Sequence, residues 1–532
     1  MIETRSSMAD FATAAQSADR IERHVAAGES SRARDLLNRI LPSVGRDVDV
    51  FQTPDQVSFD AGFTFVCIKL NRPERALHFA RLGLLRDAQD VVLHALLSEP
   101  QKIYFAREFI HFGRAAAARA ILALVLETAH SDPVAQMIGV LDYFETEQAR
   151  ILALPPRQAQ SRGRRPLLMN VVIWGADYVR DFFNYGLPSL MAAGNIPHCA
   201  RDRTVILDIY TSAADRDAIE KGLSAARDIT VRFNIIPDHV LYPKSEETFD
   251  NADRWCSGGA QLCSALRAWR LGADLSFINP SGLYSADCFA AASAFIDDGY
   301  AVVMACSPRA REPVPHGALR RYATITETRI DIAAASLTAF IVENLHAHCR
   351  DLFLSDPPRT ARQDPTTLYF KTPTGFVSRT FQPSPLLISH DVLRGDFRFD
   401  YMTTDARFVA ELLRDRDLDG VIKIARNPGD GLVIVDVDGG TGTGMRDDGE
   451  IPVTLEISAT CFLGTAYRES DLRIYEWLLA QRFTVAADGG PLPDGGVDEQ
   501  VAIDRLLEIV HRDSGPVTEK IRIFEKFARL EA

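Results

Sequence analysis

Apolar positions in the first 155 residues recur with helical spacing and never with the alternation of a half-buried strand. Three segments, AGESSRARDLL, LNRPERALHFA and FGRAAAARAIL, share a finer pattern. Each places a turn residue (Gly28, Asn71, Gly113) five positions before an alanine (Ala33, Ala76, Ala118), with apolar residues three and four further on. The turn residues are 43 and 42 residues apart. A period of that length, with small residues where helices cross closely, predicts stacked helix pairs over residues 1–154. An irregular helical domain is the simpler alternative.

At PPRQAQSRGRRP the apolar pattern stops, and residues 155–166 read as a solvated linker. Beyond it the period changes. MNVVIW (169–174), TVILDIYTS (204–212), ITVRFNII (229–236), DLSFINP (274–280) and YAVVMACS (300–307) are short and apolar almost throughout. They alternate with helical patterns at 215–222, 254–271 and 286–296. Strands of this kind form a largely parallel sheet buried on both faces, so residues 167–485 begin as an α/β domain.

From Ala318 onward the pattern loosens. LTAFIVENLHAHCRDLFL (337–354) reads as one helix, TTLYFKTPTGFVSRTF and PLLIS as strands, TTDARFVAELLRD as a helix, and VIVDVDGGTGTG and PVTLEIS (452–458) as strands. After a Gly/Pro-rich break, residues 498–532 read as amphipathic helices that pack or dimerise. A second copy of the chain is therefore a candidate partner.

Composition narrows the function classes. A formal net charge of −13 argues against broad binding to nucleic acid or anionic membrane. Eight cysteines without a CxxC pair, several in apolar runs, suit reduced buried thiols. With no signal-like N-terminus and no apolar run of spanning length, the expectation is a cytoplasmic protein. Dinucleotide, P-loop, GxSxG and HExxH signatures are absent.

Ligands of open parallel sheets sit beyond the carboxyl ends of the strands. Those ends are Trp174-Gly175-Ala176-Asp177-Tyr178, Tyr210-Thr211-Ser212, Pro237-Asp238-His239 and Asn279-Pro280-Ser281. Asp436 and Asp438 in VIVDVDGG are either solvated carboxylates closing a strand or a DxD pair for a divalent cation. An extra glycine and too short a remaining chain argue against a haloacid dehalogenase-like nucleophile. Asp405 in TTDARF is a helix N-cap or a general base. His346 and His348, at i and i+2, do not share a helix face and suit structural hydrogen bonds.

The segments VVIWGADYVRDFFNYGLPSLMAAGNIP, LDIYTSAAD, LYFKTPTGFVSRTFQPSPLLIS, TTDARF and VIVDVDG, in this order, resemble a GT-A-type glycosyltransferase. More loosely, residues 167–460 resemble uncharacterised bacterial glycosyltransferase-like proteins, which often carry helical repeats in front. The N-terminal repeats look like tetratricopeptide-type repeats. The resemblance implies a Rossmann-like α/β domain and transfer of a sugar from a nucleotide-diphosphate donor, with Mn²⁺ or Mg²⁺ at Asp436 and Asp438. It further implies nucleotide contact by Trp174, Gly175, Asp177, Tyr178, Tyr210 and Thr211, a catalytic Asp405 or Asp287, and an acceptor or protein partner at the repeats. The chain departs from the pattern after DLSFI, where NPSGLYSAD leaves only Asp287 in place of a DxD. The rival expectation is a non-catalytic interaction protein with a degenerate nucleotide-binding domain.

Overall fold

The computed structural model describes residues 8–44, 58–128, 131–155, 164–224, 226, 229–242, 252–311, 317–355, 357–362, 364–402, 404–438, 450–486 and 498–530. It is a mixed α/β chain of two compact units, one comprising the chain up to Leu141 and the other running from Asp142 to Lys526.

The first unit is helical: α1 (Met8–Ala26), α2 (Ser30–Val44), α3 (Phe59–Lys69), α4 (Pro73–Arg86), α5 (Val91–Leu96), α6 (Glu99–His111), α7 (Ala115–Thr128) and the start of α8 (Asp132–Leu152). Gly28, Asn71 and Gly113 occupy the turns of α1/α2, α3/α4 and α6/α7. They take positive φ of 73°, 53° and 72°. Each turn closes with the same backbone pair. Gly28 N–H donates to Val25 and Glu29 N–H to His24, Asn71 to Ile68 and Arg72 to Cys67, and Gly113 to Ile110 and Arg114 to Phe109. This is the Schellman arrangement, whose left-handed residue is cheap for glycine and tolerable for asparagine. Ala33, Ala76 and Ala118 are all buried, as the shared pattern predicts.

The second unit is built on a seven-stranded sheet. Its strands β1 (Leu167–Val172), β2 (Val205–Thr211), β3 (Ile229–Ile235), β4 (Asp274–Ile278), β6 (Val302–Ala305), Ser384–Ile388 and Ile422–Ile424 stand side by side in the order β3, β2, β1, β4, Ser384–Ile388, β6, Ile422–Ile424. Only Ser384–Ile388 runs antiparallel to its neighbours β4 and β6. The predicted strands and intervening helices are all present, with helices at Ala213–Leu223, Ala252–Leu271 and Cys288–Asp297. Leu167, Met169, Leu207, Ile209 and Val303 belong to one buried cluster. The long helix Ala252–Leu271 is tied to this sheet by Arg267, fully buried between Asp208 of β2 and Glu147 of α8. Asp208 also accepts from Ser264 and Asn234, so both of its oxygens are engaged.

Two smaller sheets flank it. The hairpin Thr367–Lys371/Gly375–Thr380 pairs with Phe483–Ala486. Ile434–Asp438 lies between β5 (Gly282–Tyr284) and β7 (Arg309–Arg311).

Three sequence expectations are corrected. Residues 337–354 form two helices, Ala334–Asn344 and Ala347–Asp351, because Leu345 turns extended to bridge Ala310 and His346 caps the second helix. Its Nδ1 accepts the His348 N–H at 3.2 Å, a structural histidine as expected. Of PVTLEIS only Pro452 is strand, as the second residue of Ile451–Pro452. Thr454 accepts the Ile457 N–H and starts the helix Leu455–Thr465, so a capping residue overrides a short alternating pattern. The boundary between the units falls inside α8 rather than near residue 155, and the described end of the basic segment is held by ion pairs, Arg165 with Asp391 at 2.7 Å. The helix Glu499–Asp513 is likewise anchored in the second unit, where Glu499 pairs with Arg379 at 2.5 Å. None of the eight cysteines is disulfide-bonded.

Candidate functional site

The sheet order reverses at β1. The chain leaves β1 for β2 on one side and returns to β4 on the other, which opens a crevice beyond their carboxyl ends. A cavity of about 490 Å³ occupies that place. Val172 at the end of β1 and Trp174 just after it line the cavity, with Phe277–Pro280 at and beyond the end of β4. Ala305 ends β6 and Ser307 follows it, and Ser384–Leu386 enter from the antiparallel strand, whose start lies at the same edge. The long helix contributes Arg254, Ser257 and Gln261, spaced three and four residues apart and so on one face.

Thr404 and Asp405 reach the cavity because of Gly258. A Cβ at that position would come within 2.5 Å of the Tyr401 carbonyl oxygen and 2.6 Å of that of Met402. The absence of a side chain lets the 401–402 backbone lie against the helix. Gln261 Oε1 then accepts the Thr404 N–H at 2.9 Å. Thr404 is 5% exposed, lines the cavity, and its Oγ1 has no hydrogen-bond partner.

Asp405 is the helix N-cap that its sequence context allows. It caps the helix Ala406–Leu412, accepting the Arg407 N–H at 2.8 Å, and it lines the cavity. Burial pushes its carboxyl up to about 6, with Asp400 and Asp471 adding to the rise and Arg407 opposing it. The Arg407 guanidinium does not cancel that rise, because it is committed to Asp400 at 2.5 Å. Arg468 pairs with Asp400 at 3.2 Å and Glu411 at 3.3 Å, so the two buried guanidinium groups converge on Asp400. Burial raises Asp471 as well.

The other sequence candidates divide. Trp174 and Tyr178 line the cavity, Tyr178 with 44% exposure. Gly175 shapes the turn after β1 at φ 86°, and its N–H donates to Asp215 at 2.8 Å. Asp177 is exposed and paired with Arg180 at 2.7 Å. Tyr210 and Thr211 are core positions; burial drives the Tyr210 hydroxyl upward, and the Arg267 guanidinium lies 5.8 Å from its ring centroid. Asp287 is exposed at the start of the helix Cys288–Asp297, against Gly194, and is not a cavity residue.

Ile434 lines the cavity, but Asp436 accepts the Ser281 hydroxyl at 2.5 Å and stands 3.8 Å from Arg309 Nε. Asp438 is in register with Arg311, and the glycine-rich residues 439–444 lie outside the described residues. Among the described residues, no group of three His, Cys, Asp or Glu side chains is arranged to hold a metal ion. Sequence reasoning missed Arg254, Ser257, Gln261 and Thr404. The polar stripe R-x-x-S-x-x-x-Q on a helix leading into an apolar strand was a usable signal.

No protein-family model, curated protein or solved structure matches the chain.

Proposed function

We propose that the chain is a glycosyltransferase-like enzyme of the GT-A type, with a nucleoside diphosphate sugar held in the cavity at the β1/β4 crevice. The observation that carries this reading is a carboxyl of raised affinity for protons, Asp405, bordering a cavity at the sheet's switch point beside an aromatic ring, Trp174. In this scheme Trp174 and Tyr178 flank the base and ribose, and Asp405 accepts the proton of the acceptor hydroxyl as its oxygen attacks the anomeric carbon. A general base works best when its acidity lies near the operating pH, which a carboxyl at about 6 approaches and an ordinary one does not. The helical hairpins bind the acceptor or a partner protein, in the manner of tetratricopeptide-like repeats.

The scheme also takes in a divalent cation at Asp436 and Asp438. It would have to compete with Arg309 and the Ser281 hydroxyl for Asp436. The same pairing favours the rival reading, a nucleotide-binding interaction module without turnover.

The test is release of free sugar from a panel of nucleoside diphosphate sugars, with water as the acceptor, by the wild type and Asp405→Asn. Turnover that falls at least about a hundredfold in the variant while donor affinity is kept supports the assignment. Donor binding with no turnover in either protein points to the interaction module.

A further inference from the structure

Arg254 breaks a local rule. It sits in the first turn of the helix Ala252–Leu271, where the positive end of the helix dipole disfavours a cation. Among the described residues no ion pair or side-chain hydrogen bond engages it. It is exposed, yet it borders the cavity. Most of the other arginines of this unit have a carboxylate, as Arg180, Arg309, Arg379 and Arg407 do. A guanidinium left unpaired where the helix already presents positive potential is the arrangement that draws an anion.

A second observation is independent of the first. Thr404 is almost fully buried, lines the same cavity, and has a hydroxyl with no partner. A buried polar atom without a partner is costly unless a ligand supplies one. Ser257, one turn after Arg254 on the same helix face, adds a hydroxyl.

We infer that Arg254, with the first turn of its helix and the hydroxyls of Ser257 and Thr404, binds the diphosphate of the donor and neutralises it as it leaves, in the place of a divalent cation. This rests on the reading of the cavity as the donor site. In the transfer, the bond between the anomeric carbon and the diphosphate oxygen breaks and its electron pair stays on that oxygen. The acceptor oxygen forms the new bond and gives its proton to Asp405. The negative charge gained by the diphosphate then faces a guanidinium that stays charged at any working pH and can hold two phosphate oxygens at once. Asp436 does not enter, its carboxylate being engaged by Ser281 and Arg309.

The test is calorimetric titration of inorganic pyrophosphate, and separately of the nucleoside diphosphates, into the wild type, Arg254→Gln, Arg254→Lys and Thr404→Val, in EDTA and then in manganese. Expected is binding by the wild type in EDTA, weakened at least about tenfold in Arg254→Gln, weakened less in Arg254→Lys, which keeps the charge but not the two-pronged fork, and weakened several-fold in Thr404→Val. Binding of the matching nucleoside, which has no phosphate, stays unchanged in Arg254→Gln. Equal affinity of Arg254→Gln and the wild type overturns the inference, and so does wild-type binding that appears only with manganese. If pyrophosphate behaves as expected but no nucleoside diphosphate binds more tightly than pyrophosphate, the anion site stands and the donor reading falls.

Discussion

Asp405 accepts the backbone N–H of Arg407 at 2.8 Å while the guanidinium of the same arginine turns away to Asp400. The helix cap is thereby made without neutralising the carboxylate. One residue serves as a structural cap and as a titratable group on the cavity wall, and its acidity records the conflict.

That conflict has a stability signature. The folded carboxyl titrates at about 6 against an ordinary value of 3.8, so the folded state binds the proton more tightly than the unfolded chain. Its contribution to stability is greatest below pH 3.8 and is lost as pH rises through 6. Asp405→Asn keeps a good capping side chain and removes the buried charge. We expect it to stabilise the fold by about 1–3 kcal/mol at pH 7.5 and by little at pH 4, read from urea midpoints at the two pH values. Wild-type turnover should fall on acidification through about pH 6, as the base becomes protonated.

Asp400 is the hinge of the charge network behind the site. Its replacement by alanine leaves Arg407 and Arg468, both buried, without their shared carboxylate. We expect Asp400→Ala to cost about 3–5 kcal/mol in denaturant unfolding, and a joint replacement of all three residues by apolar ones to cost less than that single change.

Gly258→Ala tests how Thr404 and Asp405 are positioned. The added methyl collides with two backbone oxygens, which cannot move as a side-chain end could. About 1–3 kcal/mol of destabilisation is expected, together with loss of ligand affinity at the cavity. Unchanged affinity would show that the 401–405 segment is positioned by something else.

Much of this fold is legible in the sequence. Five of the six parallel strands are apolar runs that a buried sheet requires, and the turns at Gly28, Asn71 and Gly113 are marked by residues that tolerate positive φ. PLLIS is readable as a strand, but its antiparallel insertion between β4 and β6 rests on pairing across distant parts of the chain, which no local pattern encodes. The site divides in the same way. Trp174 and Tyr178 follow from the strand-end rule, as does the neighbourhood of Asn279. Tyr210 and Thr211 satisfy that rule too, yet β2 stands one strand away from the crevice and they are core. Asp405 reaches the cavity only because Gly258 admits its segment, a contact between residues far apart in the chain.

The asparagine turn gives a prediction for the helical unit. Asn71 at φ 53° is the one non-glycine among the three shared turns. Asn71→Gly should be neutral or slightly stabilising, and Asn71→Val should cost about 1–2 kcal/mol in thermal or urea unfolding.

The central claim is that the β1/β4 cavity holds a nucleoside diphosphate donor. The most direct measurement is thermal unfolding of the wild type and Trp174→Ala against a panel of nucleoside diphosphates, with and without manganese. At a concentration about 100 times its dissociation constant, a ligand stabilises the fold by roughly 2.7 kcal/mol, a readable rise in midpoint. Such a rise is expected for at least one nucleoside diphosphate, present in EDTA and lost or sharply reduced in Trp174→Ala. No rise with any of them, or a rise that Trp174→Ala leaves intact, would contradict it.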